Sequence, residues 1–339
     1  MGGLGMARVL LTGAAGFIGS HVSELLTDEG WQVRGIDAFT DNYDPAAKMR
    51  NIAALGENPG FELIAADLLE VDLLSVLDGV DAVIHLAAEP GVSTSWGAGF
   101  DVYVRRNVLA TQRLLEAVAA AGIPRLVYAS SSSVYGPTNK AVDESARLAP
   151  LSPYGVSKLA GEALVGAYAH ERGLNAVSLR FFSVYGPRQR PDMAAHRFIE
   201  ALLEGQEVEV YGDRVQMRDF TFVKDVAAAV SSALTADFAS GTILNIANGT
   251  PVGVPDLLHL IERQLGTELS VRRLPHRVGD TSKTHGNSSA AARVLGWHAT
   301  TDLREGLAHQ VAWHLERRLS RIGVESAPDG RHSEVSEAV

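Results

Sequence analysis

Tyr154 and Lys158 stand four residues apart in the string Tyr154-Gly155-Val156-Ser157-Lys158, with Ser152-Pro153 before it and Leu159-Ala160-Gly161-Glu162-Ala163 after it. On a helix that spacing puts a phenol and an ammonium on one face, pointing into the same space. A cation beside a phenol favours the phenolate, so the pair predicts a general base whose pKa falls from about 10 towards neutrality. Upstream, Ser130-Ser131-Ser132-Ser133-Val134-Tyr135-Gly136 gathers hydroxyls directly after an apolar run, where a parallel sheet presents its ligand-binding edge. A third string, Thr12-Gly13-Ala14-Ala15-Gly16-Phe17-Ile18-Gly19, spaces its glycines as GxxGxxG. Between a strand and a helix, such a turn lets the backbone approach a pyrophosphate, whose charge then meets the helix N-terminus. Asp37 follows at the end of the next apolar run. A carboxylate there accepts both ribose hydroxyls and repels a 2′-phosphate, which favours NAD over NADP.

These groups need a scaffold, and the first half of the chain supplies the pattern of one. Short apolar runs at 8–12, 32–37, 61–65, 82–86, 125–129 and 176–181 predict strands, alternating with helical stretches at 19–29 and 102–121. Strands alternating with helices of that length imply an α/β fold with a doubly wound parallel sheet of the Rossmann type. The runs are continuously apolar, as strands buried on both faces must be. Beyond Val184 the pattern changes: Pro, Arg and Gly become frequent, and helices at 196–203 and 256–265 are separated by short strands. The expected organisation is a cofactor domain over 7–183 and a smaller α/β substrate lobe over 184–318, whose segments can interleave. A polar, disordered tail is expected over 319–339, richest in Gly, Pro, Ser and Glu after Gly323.

Composition narrows the partners. With 339 residues, 46% of them hydrophobic, the chain can bury a substantial core. A net charge of −10 argues against a nucleic-acid or membrane surface as the main partner. There are no cysteines, which removes disulfides and thiolate chemistry and suits a reducing cytoplasm. The Gly-rich start lacks a basic segment and a cleavage site, and the apolar run after it is too short for a signal core or a membrane span. A cytoplasmic protein is expected, and no metal.

The spacing of the glycine string differs from the ordinary dinucleotide fingerprint and resembles the TGxxGFIG signature of the extended short-chain dehydrogenase/reductase family, the NAD-dependent epimerases and dehydratases. The resemblance runs from Val9 to about Leu315. It implies that Gly13, Gly16, Phe17, Ile18, Gly19, Asp37 and Lys48 hold NAD. It assigns Asp67 and Leu68 to the adenine, and Leu86, Ala87 and Ala88 to the nicotinamide ribose. Asn107 matches a family asparagine in the same site. Tyr154, Lys158 and Ser131 take the catalytic positions, with Lys158 also on the nicotinamide ribose and Ser131 bonded to the reacting sugar oxygen. Where dehydratases carry Asp-Glu, this chain has Ser132-Ser133. Without that acid pair, what remains is reversible oxidation and hence epimerisation.

The later motifs resemble the branch that epimerises UDP-linked uronic acids at C4. The string Arg188-Gln189-Arg190-Pro191-Asp192-Met193-Ala194 is typical of it, as is Asp41-Asn42-Tyr43-Asp44-Pro45 followed by Lys48 and Arg50. By that resemblance Ser132, Ser133, Ser183 and Met193 meet the sugar. Arg190, Arg218, Arg277 and Asp280 hold the UDP, and Tyr211 stacks on uracil. Relatives often have arginine after Gly-Val where this chain has Ser93. A neutral hydroxyl there keeps UDP-glucose/UDP-galactose, or an N-acetylhexosamine, open as the alternative substrate. An NAD-sensing binding module would be expected to have lost Tyr154, Lys158 or Ser131, and a net reductase would turn over free NADH. Relatives form homodimers through a four-helix bundle, which here pairs helices 102–121 and 154–172.

Overall fold

The runs expected as strands form strands because their β-branched and leucine side chains have apolar layers to enter on both sides of one sheet. The computed structural model describes residues 7–212, 216–268, 270–275, 279 and 281–322. Within it, β1 (Arg8–Thr12), β2 (Gln32–Asp37), β3 (Phe61–Ala65), β4 (Ala82–His85), β5 (Arg125–Ser131) and β6 (Asn175–Phe181) are all parallel. Along β1, Val9 and Leu11 enter one core layer while Leu10 enters the other, and all three are fully buried. A one-residue slip would exchange the two sets, so the register is tightly specified.

Beyond β6 the chain forms two small sheets and returns once to the large one. Strand β7 (Ser183–Tyr185) pairs with β9 (Met217–Phe222), which also pairs with β11 (Pro251–Gly253), while β8 (Val208–Tyr211) pairs with β12 (Val271–Leu274). Between these, β10 (Thr242–Ile246) lies beside β6 and completes a seven-stranded sheet of order β10-β6-β5-β4-β1-β2-β3. The helix Val223–Thr235 packs against the first helix, Phe17–Asp28. One continuous apolar core therefore runs from Val9 and Leu11 through Val184 and Phe222 to Val311. The sheet order reverses at β1, whose neighbours β4 and β2 run on to opposite edges. In parallel sheets a ligand binds in the crevice beyond the strand ends at such a point.

The expected single helix over 102–121 is not one α-helix. It is α-helical over Phe100–Tyr103, widens to a π-helical turn over Val104–Leu109, and resumes as α over Ala110–Ala120. Wide turns of this kind arise where side-chain contacts outweigh the ideal ladder, often at functional sites. Here two consecutive residues reach the same neighbour: Arg106 Nη1 lies 2.6 Å from the Glu89 carboxylate, and Asn107 exchanges hydrogen bonds with the Glu89 backbone. Among the described residues, no helix is long and apolar enough to cross a membrane.

Candidate active site

Two cavities open at the strand ends and meet at Tyr154, Arg190, Phe17, Ile18, Pro90 and Phe181. The first follows the glycine turn, Asp37 and the Asp67-Leu68 and Leu86–Ala88 strand ends. The second is walled by Ser131, Ser132, Ser133, Ser183, Met193 and Arg218.

The first cavity has the features a dinucleotide needs. Gly13 has φ of +74°, and a Cβ there would come within 2.9 Å of the Ala87 nitrogen, so the turn packs directly on the end of β4. A Cβ on Gly19 would collide with the Gly13 carbonyl oxygen. Both positions thus require glycine for the helix to start against the turn. Gly16 caps that helix without a side chain, leaving the N-terminus open to an anion. Across the cavity Asp37 accepts from the Ala15 nitrogen at 3.2 Å and the Phe39 nitrogen at 2.8 Å, with Lys48 Nζ at 3.7 Å. Burial lowers the Lys48 pKa, while Asp37 and Glu89 pull it back up. These residues fit NAD, with a carboxylate where the adenosine ribose would lie.

Tyr154 and Lys158 are held by the helix Pro153–Arg172, whose start is written into its sequence. Ser152 caps it, its hydroxyl accepting from the Gly155 nitrogen at 3.1 Å, and Pro153 takes the first turn. Ser131 ends β5, accepts from the Ser133 nitrogen at 3.1 Å and hydrogen-bonds the Tyr154 phenol. Burial raises the Tyr154 pKa, and the Ser131 hydrogen bond and the Arg190 guanidinium oppose it. The expected fall of the phenol's pKa below 10 is therefore not met: burial outweighs the hydroxyl and the guanidinium together. Lys158 is 4% exposed, with Nζ 4.7 Å over the Tyr128 ring. Burial brings its pKa down to about 7, against the pull of Glu162.

Beneath the pair lies a buried polar network. Glu162 takes a bidentate hydrogen bond from Arg180 at 2.5 and 2.9 Å and one from Ser130 at 2.7 Å. Arg180 also donates to the Tyr135 hydroxyl at 2.7 Å, which donates on to Asn245. On the other side His85 bridges the Thr12 and Thr111 hydroxyls at 2.7 and 2.9 Å. Burial pushes its pKa down to about 3, so this ring is neutral at physiological pH and structural in use.

Not every expected residue reaches a cavity. Asn107 is 1% exposed and lines neither; its amide is spent on Glu89 and on the Ser157 hydroxyl, which itself bonds the Tyr154 carbonyl. Ser93 is exposed in a 3₁₀ turn outside both cavities. Tyr211 lies on β8 with Arg197 5.5 Å from its ring centroid and its hydroxyl towards Glu209, away from both. Arg277 and Asp280 fall outside the described residues. Conversely, Tyr43, Glu89 and Arg106 line the first cavity, and Thr281 and Thr284 the second, although none was singled out for a site role. The Glu89–Arg106 ion pair gives Glu89 a partner that its sequence neighbours do not reveal.

Known proteins resemble this chain in sequence and in fold. The family model for the NAD dependent epimerase/dehydratase family matches residues 9–247. A Bacillus subtilis (strain 168) protein named as an uncharacterized UDP-glucose epimerase is 42% identical over 307 residues, spanning 90% of this chain and 97% of the relative. The UDP-glucuronate 4-epimerase of Thermodesulfobacterium geofontis is 34% identical over 316 residues, spanning 92% and 97%. A crystal structure of the UDP-glucuronic acid 4-epimerase from Bacillus cereus, in complex with UDP-glucuronic acid and NAD, superposes with a TM-score of 0.89 at 38% identity. It covers 91% of this chain and 99% of that one. The chain belongs to the NAD-dependent epimerase/dehydratase family.

Proposed function

We propose that this enzyme is a UDP-glucuronate 4-epimerase, interconverting UDP-glucuronate and UDP-galacturonate with NAD held in the first cavity. The observation that carries the reading is the meeting of a glycine-lined dinucleotide cavity and a serine-lined second cavity at the Tyr154 phenol, with Ser131 bonded to it. When bound, NAD supplies the hydride acceptor that oxidises C4 and the donor that reduces it again.

The protein's own groups do the rest. Tyr154, as phenolate, takes the proton of the 4-hydroxyl and later returns it to the same oxygen. Ser131 steadies that oxygen, and Lys158 and Arg190 supply positive charge around the phenolate. Arg190 and Arg218 hold the diphosphate side, with Arg277 and Asp280 assigned to UDP on resemblance. Ser132, Ser133, Ser183 and Met193 line the sugar side closely enough to bind and loosely enough for the keto sugar to turn over. The 4-keto uronate is a β-keto acid and loses CO2 readily. Ser132 and Ser133 provide hydroxyls and no acid where an elimination or decarboxylation would need one.

A second reading comes from the sequence: Ser93 stands where relatives often carry arginine, which favours the neutral sugars of UDP-glucose/UDP-galactose. The B. subtilis relative's name points the same way. Product analysis by proton NMR, started from UDP-glucuronate without added NAD, tests the main reading. It expects UDP-galacturonate and no UDP-pentose. A higher kcat/KM for UDP-glucose than for UDP-glucuronate would establish the alternative.

The same reading makes the protein a cytoplasmic homodimer. Val102 and Leu109 on one helical stretch and Val156 on the Tyr154 helix are more than a third exposed, which supports pairing of these helices across a dimer axis as a four-helix bundle. NAD is assigned mainly to residues before 184 and the UDP portion to residues after it, with the serines at 131–133 and 183 reaching the sugar from the first part.

A further inference from the structure

We propose that Gln310, on the last helix (Leu303–Ile322), and Gln189 form a buried amide pair that positions Arg190 against Tyr154. The inference rests on the reading of Tyr154 as the base and adds two residues that touch neither cavity.

Arg190 lies in the connection between β7 and the helix Ala194–Leu203, a segment with no regular ladder of its own. The segment is fixed by side chains instead. Gln310 Oε1 accepts from the Gly186 nitrogen at 3.0 Å, and Gln310 Nε2 donates to Gln189 Oε1 at 2.8 Å. Gln189 Oε1 also accepts from the His196 nitrogen at 3.0 Å, while Gln189 Nε2 donates to the Val184 carbonyl at 3.0 Å. Gln189 is 3% exposed and Gln310 0%. Each amide faces a donor at its oxygen and an acceptor at its nitrogen, so neither can flip without breaking two bonds.

The segment is tied on its other side to the dinucleotide helix, through His21 to the Pro187 carbonyl at 3.0 Å and Arg188 to Glu24 at 2.6 Å. Arg188 sits at φ +65°, a conformation kept only where its surroundings enforce it. Two residues on, Arg190 is locked to Asp192 by two bonds of 3.0 and 2.9 Å and lines both cavities. The last helix thus reaches the phenol through one amide pair and one arginine. Displacement of the guanidinium would weaken its hold on the phenolate, since the attraction falls with distance.

The test is Gln310→Met, which keeps the volume and leaves the Gly186 nitrogen and Gln189 Oε1 each short of a partner. Around Tyr154 the polar and charged groups are Ser131, Arg190, Tyr103 with its ring centroid 6.2 Å away, Tyr128, and Lys158 one turn on. Only Arg190 depends on the amide pair. The acid limb of the kcat–pH profile is expected to move up by roughly half a unit or more in Gln310→Met. Val311→Ala, on the same helix and buried in the core without a bond to the segment, is expected to lower Tm while keeping the parental limb. An unmoved limb in Gln310→Met, or an equal move in Val311→Ala, overturns the proposal. Carbon-13 NMR titration of Cζ-labelled Tyr154 follows the phenol without turnover. A parent inactive on UDP-sugars whose Tyr154 still shifts in Gln310→Met loses the functional reading and keeps this one. An active parent whose Tyr154 does not shift loses only this one.

Discussion

Glu162 follows Lys158 by one helical turn, yet its carboxylate is bound to Arg180 and Ser130. Lys158 is left over the Tyr128 ring, drawn towards Glu162 without an ion pair to it, and its pKa falls to about 7. The folded state therefore binds fewer protons here than the unfolded chain between about pH 7 and the ordinary lysine value of 10.5. Stability gains from this group as pH rises through that window, and the group is a liability below it. Lys158→Met is expected to raise Tm at pH 7, and to flatten the rise of Tm between pH 7 and 9, while abolishing turnover. Paired melting curves at the two pH values check the slope.

The Glu162–Arg180 pair is buried on both sides, with side chains 5% and 1% exposed. Removing one partner strands the other charge in the core, so Arg180→Met is expected to cost about 3–5 kcal/mol by denaturant unfolding. Replacing both, as Arg180→Met with Glu162→Leu, should recover much of that loss, because no charge remains to be desolvated.

Gly19 has no room for a methyl group, since the collision is with the Gly13 backbone oxygen, which cannot swing aside. Gly19→Ala is expected to lower Tm by several degrees and to weaken NAD binding by roughly tenfold or more, as the helix N-terminus withdraws from the cofactor phosphates. Calorimetric NAD titration reads the second effect, and unchanged affinity would contradict it.

Asp37 holds the Ala15 and Phe39 nitrogens and faces Lys48 at 3.7 Å. Asp37→Asn removes the charge that repels a 2′-phosphate and leaves Lys48 free to attract it. The ratio of NAD to NADP affinity is expected to fall on the order of tenfold, about 1.4 kcal/mol. Equilibrium binding of the two cofactors measures it.

Much of this site could be read from the chain because the groups that do chemistry sit in contiguous strings. The glycine turn, Tyr154 and Lys158, and the serines after β5 are local patterns with local geometry, and all reach the cavities. What the sequence hid is set by long-range contacts. The π-helical turn at Val104–Leu109 exists because Arg106 and Asn107 both turn to Glu89, seventeen and eighteen residues away. The Arg197 guanidinium 5.5 Å from the Tyr211 ring centroid, on the strand that pairs with β12, is another such contact. Arg190 as a cation beside the phenol depends on packing between separate segments of the chain, and Gln310 behind it on a contact spanning 121 residues.

Tyr154→Phe, assayed with UDP-glucuronate by proton NMR alongside NAD content and Tm, removes the proposed base and nothing else. Loss of one hydroxyl should lower the rate of C4 epimerisation on the order of a thousandfold, with NAD binding and folding retained. A Tyr154→Phe protein that interconverts the two C4 epimers at the parental rate would contradict it.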